Sequence, residues 1–304
     1  MARVIVIAGA SGSLGRYISE ALFADTRFKL VAISRQGSPW LDNHKIEVLQ
    51  TDYSEESVLS ILDSTNSAAL ISCLDCPGDS YGEIHRGFLN ACERSKTCKR
   101  FIPSEYAGNI DDYPLLPSTY ATTREPFRKV LRESSGVEWT LVEVGWLMDY
   151  FIPQGKTYVR HYEGLFPIDP VNWRACIYAT GDELQTWTCA REIGKAIVEL
   201  LKAPEWEPVT YVAGEWSTFN VAVKLMEEVY GRPMPMTHRS PGTIGAHPKD
   251  SFEYMIACND QWSITGGAAL PQEKTLRQRT KYFSNMKFST LEEVLRRSQK
   301  ADFI

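Results

Sequence analysis

The stretch VIVIAGASGSLGR, residues 4–16, runs from β-branched residues straight into three glycines at positions 9, 12 and 15. β-Branched side chains favour a pleated strand. Glycine lets the backbone turn sharply or come close to another group. In open α/β sheets ligands bind beyond the carboxyl ends of the strands. A glycine turn there, leading into a helix, offers bare amides and a helix N-terminus to a pyrophosphate. The helix follows at once, because SLGRYISEALFAD carries Leu14, Ile18 and Leu22 at helical spacing. The pattern G-x-x-G-x-x-G differs from the commonest dinucleotide fingerprint, and no Gly-Lys-Ser/Thr follows to make a P-loop. These residues read as a dinucleotide cradle built from Gly9, Ser11, Gly12, Ser13, Leu14 and Gly15. The competing reading is a turn that only packs a helix tightly.

Outward from this turn the chain alternates. FKLVAISR, KIEVLQTD, AALISCL, KRFIPSEY and VEWTLVEVGW read as further strands. SEESVLSILDS, GEIHRGFLNACERS and TTREPFRKVLRESS read as the helices between them. Strands alternating with helices at this pitch predict an α/β fold, a doubly wound parallel sheet. After Tyr150 the rhythm changes: Pro153, Gly155, Pro167 and Pro170 mark irregular chain, and aromatic residues become frequent. TCAREIGKAIVELLKAP and FNVAVKLMEEVYGRP are helices with Pro or Gly stops, and STLEEVLRRS opens on a Thr290/Glu293 capping box. Residues 232–275, rich in Pro, Gly, His and Thr, read as long loops. The expected division is a nucleotide-binding domain over residues 1–152 and a smaller C-terminal substrate-binding lobe over 153–304, with about 172–203 returning to the first domain.

Composition narrows the partners. At 304 residues and 43% hydrophobic the chain can bury a sizeable core, and its formal charge of −5 without a Lys/Arg block argues against nucleic acid. No run reaches the length of a membrane span. MARVIVIAGAS loosely offers signal-peptide features, but cleavage there would remove the first strand, so it reads as structure and the location as cytoplasmic. Seven cysteines, with one CxxC at Cys73 and Cys76, read as reduced thiols, with a redox or metal role as the alternative. Five histidines form no HxxxH pair, so no metal site is expected.

The second strand distinguishes the nucleotides. NAD-binding folds place Asp or Glu about 20 residues past the glycines to hold the ribose 2′-hydroxyl. Here Arg35, preceded by Ser34, stands in SRQGSPW, which contains no acid. A guanidinium grips a 2′-phosphate that a carboxylate would repel, so NADP(H) is the expected cofactor.

GASGSLG, the Arg ending the second strand, KRFIPSEYAGN and GVEWTLVEVGWLMDYF together resemble the NmrA-like and isoflavone-reductase-like atypical short-chain dehydrogenases, particularly fungal members. The likeness covers nearly the whole chain. It implies a Rossmann domain, a small substrate lobe and a nicotinamide facing the cleft between them. Asp52, Cys73, Leu74 and Pro103, at strand ends, join the expected cofactor contacts. Family reductases carry a Lys on the helix after PSE as proton donor or relay. Here the matching position is Arg124, within Tyr120-x-x-x-Arg124. If that helix begins near Ser118, the two side chains share a face. Arginine stays charged and donates hydrogen bonds but is a poor acid or base. Arg124 is therefore expected to hold the nicotinamide ribose or steady negative charge, with Tyr120, Ser104 and Glu105 as candidate proton sources.

Hydride transfer to an iminium, or from an amine, needs no such donor. Tyr106, Trp146 and Tyr150 at strand ends suggest a flat, apolar substrate. Asp149 either pairs with a cationic nitrogen or caps the next segment. Tyr158, His161 and Tyr162 are candidates for lining the pocket. The expected activity is an NADP(H)-dependent oxidoreductase of secondary metabolism acting on a hydrophobic polycyclic small molecule, alkaloid-like ones included, with cyclisation as a coupled step. The alternatives are an NADP-binding redox sensor without turnover and a cofactor-dependent cyclase without net redox change. A monomer or homodimer is expected.

Overall fold

A computed structural model describes residues 2–76, 78 and 80–304. Its first strands and helices follow the alternation of the sequence: β1 Arg3–Ala8, α1 Ser13–Phe23, β2 Phe28–Ser34, α2 Pro39–Asn43, β3 Glu47–Gln50, α3 Glu55–Ser64, β4 Ser67–Ser72, α4 Ser80–Arg94 and β5 Arg100–Ile102. After these come α5 Tyr120–Thr123, α6 Glu125–Glu133 and β6 Glu138–Trp139. The six strands pair in the order β3-β2-β1-β4-β5-β6, all parallel. Strands of a parallel sheet covered by helices on both faces are apolar throughout. Accordingly Ile5, Val6, Ile7, Val31, Ala32, Leu70 and Ile71 are all buried. The strand order reverses between β1 and β4, so their carboxyl ends form the crevice where such sheets take ligands.

The chain forms two compact units. One comprises Met1–Glu105, Thr122–Val142 and Gly194–Thr210; the other comprises Tyr106–Ala121, Glu143–Ile193 and Tyr211–Ile304. This differs from the expected division at residue 152, and the returning segment is 194–210, where about 172–203 was expected. The reason lies in VEWTLVEVGW, which does not form one strand. It breaks into β6, β7 Leu141–Glu143 and β8 Trp146–Leu147, with Gly145 at φ +68° turning the chain before β8. A left-handed residue cannot continue a strand.

The second unit contains β9 Ile168–Asp169, β10 Arg174–Tyr178 and β11 Gln185–Thr188. Next in the chain are α7 Ala190–Lys202, whose last turns belong to the first unit, then β12 Val209–Tyr211, β13 Glu215–Ser217 and α8 Phe219–Tyr230. The chain closes with β14 Met236–Arg239, α9 Phe252–Ile264, α10 Gln272–Tyr282 and α11 Leu291–Lys300. Two small sheets, β14-β10-β9 and β13-β11-β8, flank a core that includes Trp146, Met148, Phe151, Trp187, Phe219 and Met226. The α11 capping box at Thr290 and Glu293 forms as the sequence predicts, and Gly231 ends α8 in the left-handed conformation.

Two further expectations are corrected. Residues 232–275 are not long loops, because β14 and the 13-residue α9 lie within them. The apolar residues of α9 do not repeat at helical spacing, so only its Ser251 cap, accepting from the Tyr254 amide, marks it locally. The helix expected from Ser118 is also interrupted, since α5 ends at Thr123 and α6 restarts at Glu125 with Pro126 in its first turn. Proline cannot donate its missing N–H to a continuing helix. Tyr120 opens α5, and Arg124 is the right-handed residue between the two helices, capping α6.

Candidate functional site

In the first unit, Gly9 adopts φ +79°, and a Cβ there would lie 2.6 Å from the Cys73 carbonyl oxygen. A Cβ on Gly15 would land inside the Gly9 carbonyl. The turn is thus closed on itself by backbone, with the Gly12 amide donating to Gly9 O at 3.0 Å. No side chain caps α1 at Gly12, and its first turn holds no acid. The helix N-terminus is left to an anion, as a pyrophosphate cradle requires. Cys73 and Leu74 act here through their backbone, the peptide against which Gly9 packs.

At the end of β2, Ser34 is followed by the exposed Arg35, whose guanidinium carbon sits 5.5 Å from the Tyr53 ring centroid. Tyr53 is itself left-handed at φ +67°. Arg16 donates through Nε to Ser11 O at 2.8 Å and stands over Trp40, which stacks on His44. Two guanidiniums therefore border the glycine turn, each on an aromatic ring. Asp52 is exposed and receives the Ser54 amide at 2.9 Å; the Ser54 hydroxyl first, and then this amide, hold its carboxyl below the usual range. The fit to a phosphorylated dinucleotide is good: amides of the turn for the pyrophosphate, Arg35 and Arg16 for further phosphate.

Deeper in the same unit lies a buried polar column that the sequence did not announce. The Arg124 guanidinium lies 3.3 Å from the centroid of Tyr81, and Tyr81 stacks on His85 at 4.0 Å. His85 bonds through Nδ1 to Tyr81 O at 2.9 Å and through Nε2 to Ser72 Oγ at 2.9 Å. The Ser104 amide also points at Nε2, at 3.3 Å. A carbonyl only accepts, so Nδ1 carries the hydrogen and the ring is neutral. Burial, reinforced by the Arg124 charge, brings the His85 pKa down to about 3.

Glu105 needs correction as a proton source. Its side chain is fully buried and grips Arg128, which donates from Nη2 at 2.7 Å and from Nε at 3.3 Å. The Tyr81 hydroxyl donates to the same carboxylate at 3.2 Å. Both oxygens are engaged as acceptors, so the residue anchors the column. Pro103 and Ser104 are buried beside it at the end of β5. The i, i+4 spacing of Tyr81 and His85 on α4 was visible, but the arrival of Arg124 and Arg128 from a distant helix was not.

The second unit holds a cavity of about 170 Å³. Its walls include Tyr106, Tyr120, Trp146, Tyr150 and Trp262, with Asn259 as a polar member. Trp146 donates to Ser263 Oγ at 3.2 Å and meets Trp262 at 5.0 Å and Tyr150 edge-on at 5.8 Å. Tyr106 is placed by a left-handed φ of +52° directly after the PSE turn. Asp149 is the second correction. It takes the Thr157 hydroxyl at 2.7 Å and the Ala190 amide at 2.8 Å, so it is buried and caps α7. It is a cap, but of a helix 41 residues on and not of the next segment. Among the described residues no group of His, Cys, Asp or Glu can hold a metal. No helix of the described residues is long and apolar enough to cross a membrane.

A six-stranded parallel sheet with a glycine cradle at its switch point defines a Rossmann-type dinucleotide-binding protein. Residues 9–166 match the family described as NAD(P)H-binding, and the chain belongs to that family. It is 36% identical to "Oxidoreductase swnR" of Arthroderma benhamiae, over 96% of each chain. It is 21% identical to "Isoflavone reductase homolog A622" of Nicotiana glauca, covering 95% of this chain and 96% of that one. The solved structure "AtPrR2 with NADP+ and (+)pinoresinol" superposes with a TM-score of 0.74 over 98% of this chain and 99% of the other, at 14% identity. The fold expected from the sequence and the chain's place among NAD(P)H-binding oxidoreductases are thereby established.

Proposed function

We propose that this chain is an NADP(H)-dependent oxidoreductase acting on a hydrophobic, ring-bearing small molecule of secondary metabolism at an iminium, amine or conjugated centre. Three of its features support this. Arg35 stands where an acid would select NAD, and a guanidinium binds a 2′-phosphate bidentately. The aromatic cavity of the second unit suits a flat substrate. The observation that carries the reading is Arg124, held 3.3 Å over Tyr81 at the position where the resembled reductases have lysine.

Bound NADP(H) would donate or accept a hydride. The chain's own residues then decide which substrates are served. A ketone becomes an alkoxide on reduction and needs a proton; an iminium becomes a neutral amine and needs none. Arg124 holds its charge and its proton, so it can stabilise negative charge or the ribose but cannot complete a ketone reduction. Tyr120 and Ser104 remain candidate proton sources, and cyclisation after reduction remains part of the proposal.

Full-length protein with NADPH is offered 3,4-dihydroisoquinolinium and 1-tetralone, and loss of NADPH absorbance is followed. Turnover of the iminium well ahead of the ketone is expected, with Arg124→Lys narrowing the gap. Equal turnover of the ketone, unaffected by Arg124→Met, overturns the reading. Affinity without consumption favours the sensor alternative, and product without consumption the cyclase. Arg35→Ala should weaken NADP+ about 10- to 100-fold, the loss of one charged hydrogen-bonding group, and leave NAD+ unchanged in titration calorimetry.

A further inference from the structure

A second cavity lies in the same unit as the aromatic one and is larger, about 250 Å³. Its walls include Tyr150, His161, Tyr162 and Phe166. Tyr150 lines both cavities. Each alone is smaller than ligand pockets usually are, about 300 to 1,000 Å³, and only their combined volume falls in that range.

The wall is built rather than loose. Tyr150 stacks on Phe166 at 5.2 Å with planes 22° apart, and Phe166 abuts the core through Phe151 at 4.9 Å. His161 leans on the other side of Tyr150 at 5.4 Å. Its Nε2 lies 3.2 Å from the Asp149 carbonyl oxygen. That oxygen only accepts, so Nε2 carries the hydrogen and Nδ1 is left as a lone-pair acceptor. Nδ1 makes no hydrogen bond among the described residues. Burial lowers the ring's proton affinity against the opposing pull of the Asp149 carbonyl and of the Asp149 and Asp169 carboxylates.

The two acids of the wall are engaged. Asp169 takes the amides of Val171 and Asn172 at 3.0 and 2.9 Å, and Glu163 reaches Arg174 at 3.3 Å. The charged residues of the wall, Glu163 and Asp169, are both acidic, and each pairs with Arg174. Beside the stacked aromatic wall the cavity offers a half-buried ring acceptor in His161.

We propose that this cavity is a second binding subsite, for a ring-bearing ligand whose hydroxyl or ammonium group donates a hydrogen bond to His161 Nδ1 while its ring packs on Tyr150 and Phe166. The inference rests on the ring-binding reading of the neighbouring cavity and adds a polarity requirement to it. A ligand spanning both cavities passes Tyr150, so its ring system and its donor are recognised separately.

The test uses full-length protein saturated with NADP+ and three matched probes: 2-naphthol, 2-naphthylmethylamine and 2-methylnaphthalene. Affinities come from ligand-observed NMR, and the imidazole nitrogens are read directly, since the chain has only five histidines. At least one donor probe should bind about three- to tenfold tighter than the methyl probe, the worth of one hydrogen bond. That probe should shift the His161 Nδ1 resonance. His161→Leu should bring the preference within twofold, and His161→Asn, with a carbonyl acceptor, should restore part of it. Preference for naphthol alone assigns the subsite to hydroxyl donors, and for the amine alone to ammonium donors. An unmoved Nδ1 resonance in the unmutated chain, or a preference that survives His161→Leu, overturns the proposal. Trp146→Leu separates the two readings. If it weakens all three probes, the ring-binding cavity stands whatever His161 does. If no probe binds the unmutated chain, both readings fall.

Discussion

The glycine cradle of the first unit and the aromatic cavity of the second are built by opposite means. The cradle is made of backbone: the absence of Cβ atoms at Gly9 and Gly15 lets the turn close, and the first turn of α1 carries no capping side chain and no acid. The cavity works through side chains that come from residues 106, 120, 146, 150 and 262, distant in the chain and brought together only by folding. A backbone site is written in consecutive residues, because only glycine permits it. A side-chain site is written in scattered positions whose residue types equally suit a core.

The largest effect should come from the cradle. Gly15→Ala places a Cβ inside the Gly9 carbonyl, so nucleotide binding should fall more than 100-fold in calorimetry, with circular dichroism confirming the fold. Affinity within threefold of the unmutated chain would remove the backbone from the comparison.

Next comes the anchor beneath Arg124. Arg128→Met leaves Glu105 as an uncompensated buried carboxylate, and breaking such a pair costs about 3–5 kcal/mol. Urea denaturation should show that loss, whereas a loss below about 1 kcal/mol would mean that the column does not depend on the pair.

The smallest effect is acid sensitivity from His85. Its pKa is about 3 in the folded chain and about 6.5 when unfolded. Between those values the unfolded chain binds a proton that the folded one does not, so stability falls as pH drops through this window. The contribution from this residue is about 2 kcal/mol lost between pH 7 and pH 5. His85→Asn should flatten that part of the pH–stability curve, and an unchanged slope would locate the acid sensitivity elsewhere.

Legibility followed the same division. The five N-terminal strands, their helices and the Thr290–Glu293 box were readable because strand period, helix period and caps are local signals. VEWTLVEVGW misled because its apolar run says nothing of the turn at Gly145 that sends its parts to different sheets. Asp149 was ambiguous for a related reason. A lone acid at a strand end suits a cap and a cation equally, and the Ala190 amide it caps at 2.8 Å lies 41 residues away. Glu105 looked like a reactive group because its partner, Arg128, is 23 residues away on another element.

By itself the sequence determined the parallel sheet, the glycine cradle and the guanidinium at the end of β2, since each depends on what adjacent residues permit the backbone to do. Tertiary structure alone decided that Glu105 anchors, that Asp149 caps, that Arg124 rests on Tyr81 and that Tyr150 lines two cavities. Those outcomes depend on which distant side chains share a desolvated space, and that is a property of the packed chain.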